Sequence, residues 1–274
     1  MIKTKEDEEK LLALLLALAS RAERMVTFRV RPVLADQMYK IRDVVLRMKE
    51  GSEDIDIRSV EWVTLKRLLL QYLRPVNNIL KDTLYQELRK VGPPVRELAA
   101  EYLDLPKPPL LLRSKKDLAA GVIVINRTLG DLLGDGRQLG RLVPRMTLTI
   151  DKTVALGITE KEATKVIADK IIPQVKRGGT FYPTIAKGST ANAILNQITN
   201  TTSGAVWDLV NEELRDVWGD RDVTSWIWQA RLDPLTCPVC APLNGEIYET
   251  IEDVEQLPPL HPNCRCVVMP RGFS

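Results

Sequence analysis

The chain holds a single histidine and only four cysteines, and none of these five residues occurs before position 237. A disulfide-scaffolded fold is thereby excluded for the first 236 residues. Ser-His or Cys-His nucleophilic machinery would have to draw on the one imidazole, His261. Aromatic residues are also sparse, at 5%. Long apolar runs are missing: the longest, Leu11 to Ala19, has nine residues, whereas a membrane-spanning helix needs about 20. A secretory leader is not read there either, because Glu6, Asp7, Glu8 and Glu9 precede the run. Nor does charge of one sign prevail. The 39 basic and 36 acidic side chains leave +3, too little to argue for nucleic acid by itself. These absences predict a chain that stays off the membrane, in a compartment where thiols remain reduced.

What is present is mostly helical. At 274 residues and 45% hydrophobic, the chain can bury a sizeable core in one or two domains. Leu11, Leu12, Leu15, Leu16 and Leu18 form an apolar stretch suited to burial or helix association. A second helix is read from Val60 to Leu73. A third, carrying Val76, Ile79, Leu80, Leu84, Leu88 and Val91, is expected to stop at Gly92-Pro93-Pro94. Every one of these stripes is read as core packing. Three prolines within Leu105 to Pro109 mark a linker. Helical character then resumes near Ser114. The glycines at 130, 134, 136 and 140 read as turns, since no Gly-Lys-Ser/Thr follows to make a phosphate loop. Arg137, Arg141 and Arg145 read as a solvated helix face. Thr159-Glu160-Lys161-Glu162 has the form of a capping box. Residues 177–183 read as a loop or irregular hairpin, and Ser189 as the cap of a long helix with a weak middle at Thr199 to Gly204.

After Gly219 the period changes. Ser225 to Leu232 is rich in strand formers, Asn244-Gly245 is a strong hairpin signal, and a third strand fits Arg265 to Met269. Three of the five Trp fall between Trp218 and Trp228, which hints at a separately packed C-terminal unit. Three short strands bury little area, so such a unit needs a staple. The predicted fold is therefore mainly α: a multi-helix body with a small, zinc-stabilised, three-stranded β module at the C-terminus. Its expected divisions are a helical region over 1–105, a Pro-rich linker over 106–113, a helical region over 114–220 and the zinc module over 221–274.

The staple is read from the cysteines. Cys237 and Cys240 are two residues apart; His261 and Cys264 repeat that spacing 20 residues later, and Cys266 follows. A Cys-x2-Cys turn lets two thiolates converge on one ion, with backbone N–H groups directed at the sulfurs. A second turn at His261 to Cys264 completes a tetrahedral shell of three sulfurs and one nitrogen, the closed donor set of a structural zinc. Cys266 is the alternative fourth ligand. A disulfide is disfavoured by a reducing compartment, and a thioredoxin-like site would need Cys237 to open a helix rather than follow a strand and Pro234. Chelation is expected to unfold this unit before the helical body. A catalytic zinc would want a neighbouring general base. Glu246, Glu249 and Glu252 are near in sequence, but no His-Glu-x-x-His pattern exists, so an enzyme is not expected.

The run from Asp233 to Tyr248, Asp-Pro-Leu-Thr-Cys-Pro-Val-Cys-Ala-Pro-Leu-Asn-Gly-Glu-Ile-Tyr, and the run Pro258 to Cys266, Pro-Pro-Leu-His-Pro-Asn-Cys-Arg-Cys, together resemble the phage Mu F-like family. These are minor head, or head-morphogenesis, proteins of tailed bacteriophages. The resemblance covers roughly residues 190–271. Family members commonly carry an Arg-Thr-Glu element on the preceding helix, where this chain has Asn200-Thr-Thr-Ser-Gly204. The resemblance implies a structural protein of the virion, at the capsid interior or portal vertex, assembled in the host cytoplasm. The implied partners are the portal protein, the major capsid or scaffolding protein, and viral DNA, with no membrane. One alternative is a DNA-binding protein using Arg137 to Arg145 with the zinc module; another is a zinc-dependent nuclease or toxin-like enzyme relying on Glu246.

Overall fold

The computed structural model describes residues 2–47, 60–124, 127–134, 142–159, 164–219, 222–230, 232, 237–261 and 264–273. Among them are seven helices: α1 (Lys5–Arg47), α2 (Val60–Tyr102), α3 (Lys115–Gly121), α4 (Leu129–Leu133), α5 (Leu142–Thr159), α6 (Thr164–Ile171) and α7 (Thr190–Trp218). Two antiparallel sheets accompany them. One pairs β1 (Gln174–Arg177) with β2 (Thr180–Pro183); the other has the order β4-β3-β5, built from β3 (Val223–Gln229), β4 (Ile247–Tyr248) and β5 (Val267–Phe273). The fold is thus mainly α with a small three-stranded C-terminal sheet, as the sequence predicts. No described helix is long and apolar enough to cross a membrane.

The chain forms two compact units. One comprises Met1–Met25, Leu84–Leu129 and Asn200–Ser274; the other comprises Val26–Thr83 and Gly130–Thr199. In the second unit, Val26, Val30, Leu34, Met38, Ile41 and Val45 of α1 are buried at spacings of three and four, and so are Leu69, Leu73, Val76 and Leu80 of α2. This is the apolar stripe by which a helix buries one side. Polar pins fix the register. Asn77 donates to the Leu133 carbonyl at 3.2 Å, Arg42 pairs with Asp169 at 2.8 Å, and the Thr153 and Thr190 hydroxyls meet at 2.6 Å.

The first unit holds the sheet. Its core includes Leu88, Val91, Val95 and Ala99 of α2, Val206, Trp207, Val210 and Leu214 of α7, and Trp226, Trp228, Val267 and Met269 of the strands. The Trp218 indole donates to the Ala99 carbonyl at 2.9 Å, and the Tyr102 hydroxyl donates to the Pro270 carbonyl at 3.1 Å. The N-terminus joins this unit too: Ile2 bridges Gly272, and the Lys3 N–H donates to the Arg271 carbonyl at 3.0 Å. The cluster of tryptophans therefore belongs to a core shared by helices and strands.

Charge is buried here as well. Glu213 on α7 is 1% exposed and accepts from Arg96 Nη1 at 3.0 Å and from Arg113 Nε at 2.6 Å. Asp216 also accepts from Arg96, and Glu212 accepts from Arg113 at 2.7 Å. Arg113 lies in the Pro-rich extended segment, which this pairing ties to α7. Ser114 then caps α3 in a reciprocal box with Asp117.

Two helix boundaries differ from the sequence reading. Gly92-Pro93-Pro94 does not end a helix: α2 is continuous from Val60 to Tyr102 and also passes through Pro75. An interior proline costs about 3 kcal/mol. Burying Val95, Tyr102 and Leu103 beyond it returns about 1.5–3 kcal/mol for each large apolar side chain. Glycine suits position 92 because a Cβ there would lie 3.3 Å from Glu213 Oε1. Likewise α7 runs unbroken through Thr199 to Gly204, a stretch whose Thr201, Thr202 and Ser203 are buried. Packing outweighs weak propensity in both places. Ser189 does cap α7, accepting from the Asn192 N–H at 3.1 Å. The capping box read at Thr159 to Glu162 lies outside the described residues.

Candidate metal centre

Cys237 and Cys240 sit on the turn that follows β3. The Cys240 and Ala241 N–H groups donate to the Cys237 carbonyl at 3.2 and 3.1 Å, and the Cys240 N–H also reaches Cys237 Sγ at 3.3 Å. The backbone thus points at the sulfur, as the Cys-x2-Cys spacing predicts. Asn244-Gly245 closes the next turn. Gly245 has φ 87°, and its N–H donates to the Trp228 carbonyl at 2.8 Å while the Asn244 side-chain oxygen accepts from the Ala230 N–H at 2.8 Å. That turn delivers β4 to β3, where Trp226 faces Tyr248 and Ile227 faces Ile247. A second turn, closed by the Cys264 N–H on the His261 carbonyl at 3.1 Å, leads into β5.

All five expected ligands come together. His261 Nε2 lies 2.8 Å from Cys237 Sγ and 3.0 Å from Cys240 Sγ, and Cys240 Sγ lies 3.8 Å from Cys264 Sγ. The donor atoms form two overlapping triads, Cys237-Cys240-His261 and Cys240-Cys264-Cys266, each with its atoms within 4.8 Å of one another. Two zinc–sulfur bonds of about 2.3 Å at the tetrahedral angle place their sulfurs about 3.8 Å apart, the separation of Cys240 and Cys264. Cys240, Cys264 and Cys266 are buried. A cluster of four thiols and one imidazole, with Cys237 and His261 half-buried, is soft and borderline in its chemistry, and fits a thiophilic divalent ion.

The electrostatics single out one thiol of the cluster as the first to ionise. A hydrogen bond from the Cys266 thiol pulls Cys264 down to about 5, and Cys266 is pushed up in return. Burial pushes Cys240 up to about 12. Negative charge therefore settles first on Cys264, and neutralising all the thiolates takes a cation.

Support for this site comes partly from a residue that spacing did not reveal. Asn211 on α7, 3% exposed, donates to the Cys266 carbonyl at 3.2 Å and to the Trp207 carbonyl at 2.8 Å. Its helical spacing from Trp207 and Leu214, four residues before it and three after, put it on the apolar face of the helix and was the available signal. Beside the centre lies a cavity of about 240 Å³ whose lining includes His261, Pro259, Gly204, Asp208 and Arg215. Asp208 accepts from the Ile123 N–H at 2.7 Å, and burial pushes its carboxyl up to about 6. Burial also pushes Arg215 below the usual guanidinium range.

Other candidate residues fall elsewhere. Glu246 accepts from the Tyr248 hydroxyl at 2.8 Å, and Glu246, Glu249 and Glu252 are exposed. No described carboxylate joins the metal-ligating groups. Arg145 is exposed on α5, whereas Arg137 and Arg141 lie outside the described residues.

Comparison with known proteins bears on this part of the chain. Residues 147–269 match the family model described as Phage Mu protein F like protein. The match covers somewhat less than half of the chain and contains all five donor residues. No curated protein and no solved structure matches the chain.

Proposed function

Because residues 147–269 form a phage Mu F-like region, we propose that this protein is a minor head protein of a tailed bacteriophage, acting in head morphogenesis. The observation that carries the reading is the matched segment, together with the Cys/His constellation inside it. In this reading the protein sits in the virion, at the capsid interior or portal vertex, after assembly in the host cytoplasm. Its partners are the portal and the major capsid or scaffolding protein, and it assists assembly, DNA packaging or ejection without catalysing a reaction. The absence of carboxylates from the described metal-ligating groups supports a structural rather than a hydrolytic centre.

The same reading assigns the ion as zinc. Cys237, Cys240, Cys264 and His261 form the shell, and Cys266 is the alternative fourth ligand. His261 is favoured because its Nε2 reaches both Cys237 and Cys240, whereas Cys266 groups with Cys240 and Cys264. Zinc analysis of the purified protein is expected to give one ion per chain. His261→Ala should lower that stoichiometry and Cys266→Ala should leave it intact; the reverse pattern makes Cys266 the ligand.

The function is tested by quantitative mass spectrometry of purified heads and of proheads lacking the portal. Presence in heads with loss from portal-less proheads supports a portal-docked head protein. Absence from both overturns the structural role.

A further inference from the structure

The β1–β2 hairpin is exposed on both of its faces. Its register pairs Lys176 with Phe181, Val175 with Tyr182, and Arg177 with Thr180. Side chains alternate along a strand, so Lys176 and Phe181 share one face, while Val175, Arg177, Thr180 and Tyr182 share the other. Phe181 is 57% exposed and Tyr182 52% exposed. The Lys176 ammonium stands 5.7 Å from the Phe181 ring centroid. Each face therefore offers one cation and one aromatic ring to the outside.

Two further observations define what could cover such a ribbon. From Lys170 to Trp207 the chain carries four basic residues, Lys170, Lys176, Arg177 and Lys187, and no acidic one. The stretch is positive because acidic residues are missing from it, not because basic ones are dense. Moreover, a flat partner such as a membrane or a globular surface would cover one face of the ribbon and leave the other ring in water. A groove covers both. Two strands about 4.8 Å apart, with their side chains, fit the B-DNA major groove, which is about 12 Å wide and admits a two-stranded ribbon. Cations on both faces then meet phosphates of both groove walls, and the rings meet base edges and thymine methyls. The tip, Gly178-Gly179, has φ 54° and 86° and nothing within 4 Å of an added Cβ, so it enters without a bulky end.

We propose that the β1–β2 hairpin is a duplex-DNA-binding ribbon, with Lys176 and Arg177 on the phosphates and Phe181 and Tyr182 in the major groove. The site is separate from the metal centre and from the Arg137 to Arg145 segment, and it does not depend on where the protein resides in the virion.

The test is fluorescence anisotropy of the full-length, zinc-loaded protein with a labelled duplex of random sequence, titrated over a range of salt. Each lost phosphate contact lowers the log–log salt slope by about 0.9. The variant Lys176→Gln/Arg177→Gln is thus expected to lose about 1.8 from that slope and more than tenfold in affinity at 0.1 M salt. Phe181→Ala/Tyr182→Ala is expected to weaken binding at least about fivefold with the slope unchanged, because apolar contacts to base edges and methyls release no counterions. A control with the same charge change, Lys115→Gln/Lys116→Gln on α3, should keep the slope. Three results would overturn the proposal: no duplex binding by the wild type, an equal slope loss in the control, or equal competition by polyglutamate. Tighter binding of single strands than of duplex would overturn the groove geometry. All of these side chains are exposed, and unchanged melting curves confirm that folding is intact.

Discussion

Removing the metal should open the segment 237–261 and leave β3, β5 and α7 in place. Within that segment the regular structure is the two-residue β4 and a series of turns. Beyond the short β3–β4 ladder, where Trp226 pairs with Tyr248 and Ile227 with Ile247, three hydrogen bonds tie it to β3 and the residue after it: Gly245 N–H to the Trp228 carbonyl, Trp228 N–H to the Glu246 carbonyl, and Ala230 N–H to the Asn244 side chain. Each contributes about 1 kcal/mol net, while ordering a residue costs about 1–2 kcal/mol. These bonds and the short ladder together offset the ordering of only a handful of residues. The metal has to hold the rest, and structural zinc supplies on the order of 10–16 kcal/mol in small peptides. The outer strands are different. Trp226, Ile227, Trp228, Val267, Val268 and Met269 are buried, and Tyr102, Asn211 and the N-terminal bridge at Gly272 secure β5. The assay is hydrogen exchange read by mass spectrometry, with and without a zinc chelator. Peptides carrying the Cys240, Ala241 and Glu246 amides should lose protection, while those covering Ile227, Met269 and α7 should keep it. Far-UV circular dichroism should change little. Collapse of protection across α7 and β5, or no change at 237–261, would refute the reasoning.

Three other outcomes follow from the first unit's interior. Glu213→Gln removes a buried carboxylate between two guanidinium groups and should cost about 3–5 kcal/mol in urea unfolding; a loss below about 1 kcal/mol would show that water replaces it. Asp208 has a folded value of about 6 against 3.8 unfolded, so the native state takes up its proton first and stability falls as pH rises from about 4 to 6, by at most about 3 kcal/mol. Asp208→Asn removes that loss, and with zinc saturating, its melting temperature relative to the wild type should climb across this window; a flat difference rejects the buried-carboxyl account. Tyr102→Phe deletes the hydroxyl that meets the Pro270 carbonyl and should cost about 1 kcal/mol in thermal melts, whereas a neutral result would mean that the carbonyl finds another donor.

The sequence by itself determined the features whose chemistry is local. The spacing of Cys237, Cys240, His261 and Cys264 placed two turns, and turn geometry brings residues three apart to one point whatever surrounds them. Asn244-Gly245 announced a turn, and Gly245 supplies its positive φ, although the pair does not form the two-residue hairpin that it signals, because β3 ends at Gln229 and β4 starts at Ile247. Ser189 announced a helix start, since its hydroxyl satisfies a backbone donor that the helix leaves free. The stripes in α1 and α2 announced helices with one buried side. Tertiary structure decided what depends on partners far along the chain. Whether α2 stops at Gly92-Pro93-Pro94 rests on the burial of Val95 and Tyr102, and local propensity carries no record of that. Whether Arg113 is a free linker charge or a buried ion-pair partner rests on Glu212 and Glu213, about 100 positions away. The sheet was legible as three strands, but its shared core with α2, α7 and the N-terminus was not, because pairing and packing are long-range and strand periodicity names no neighbour.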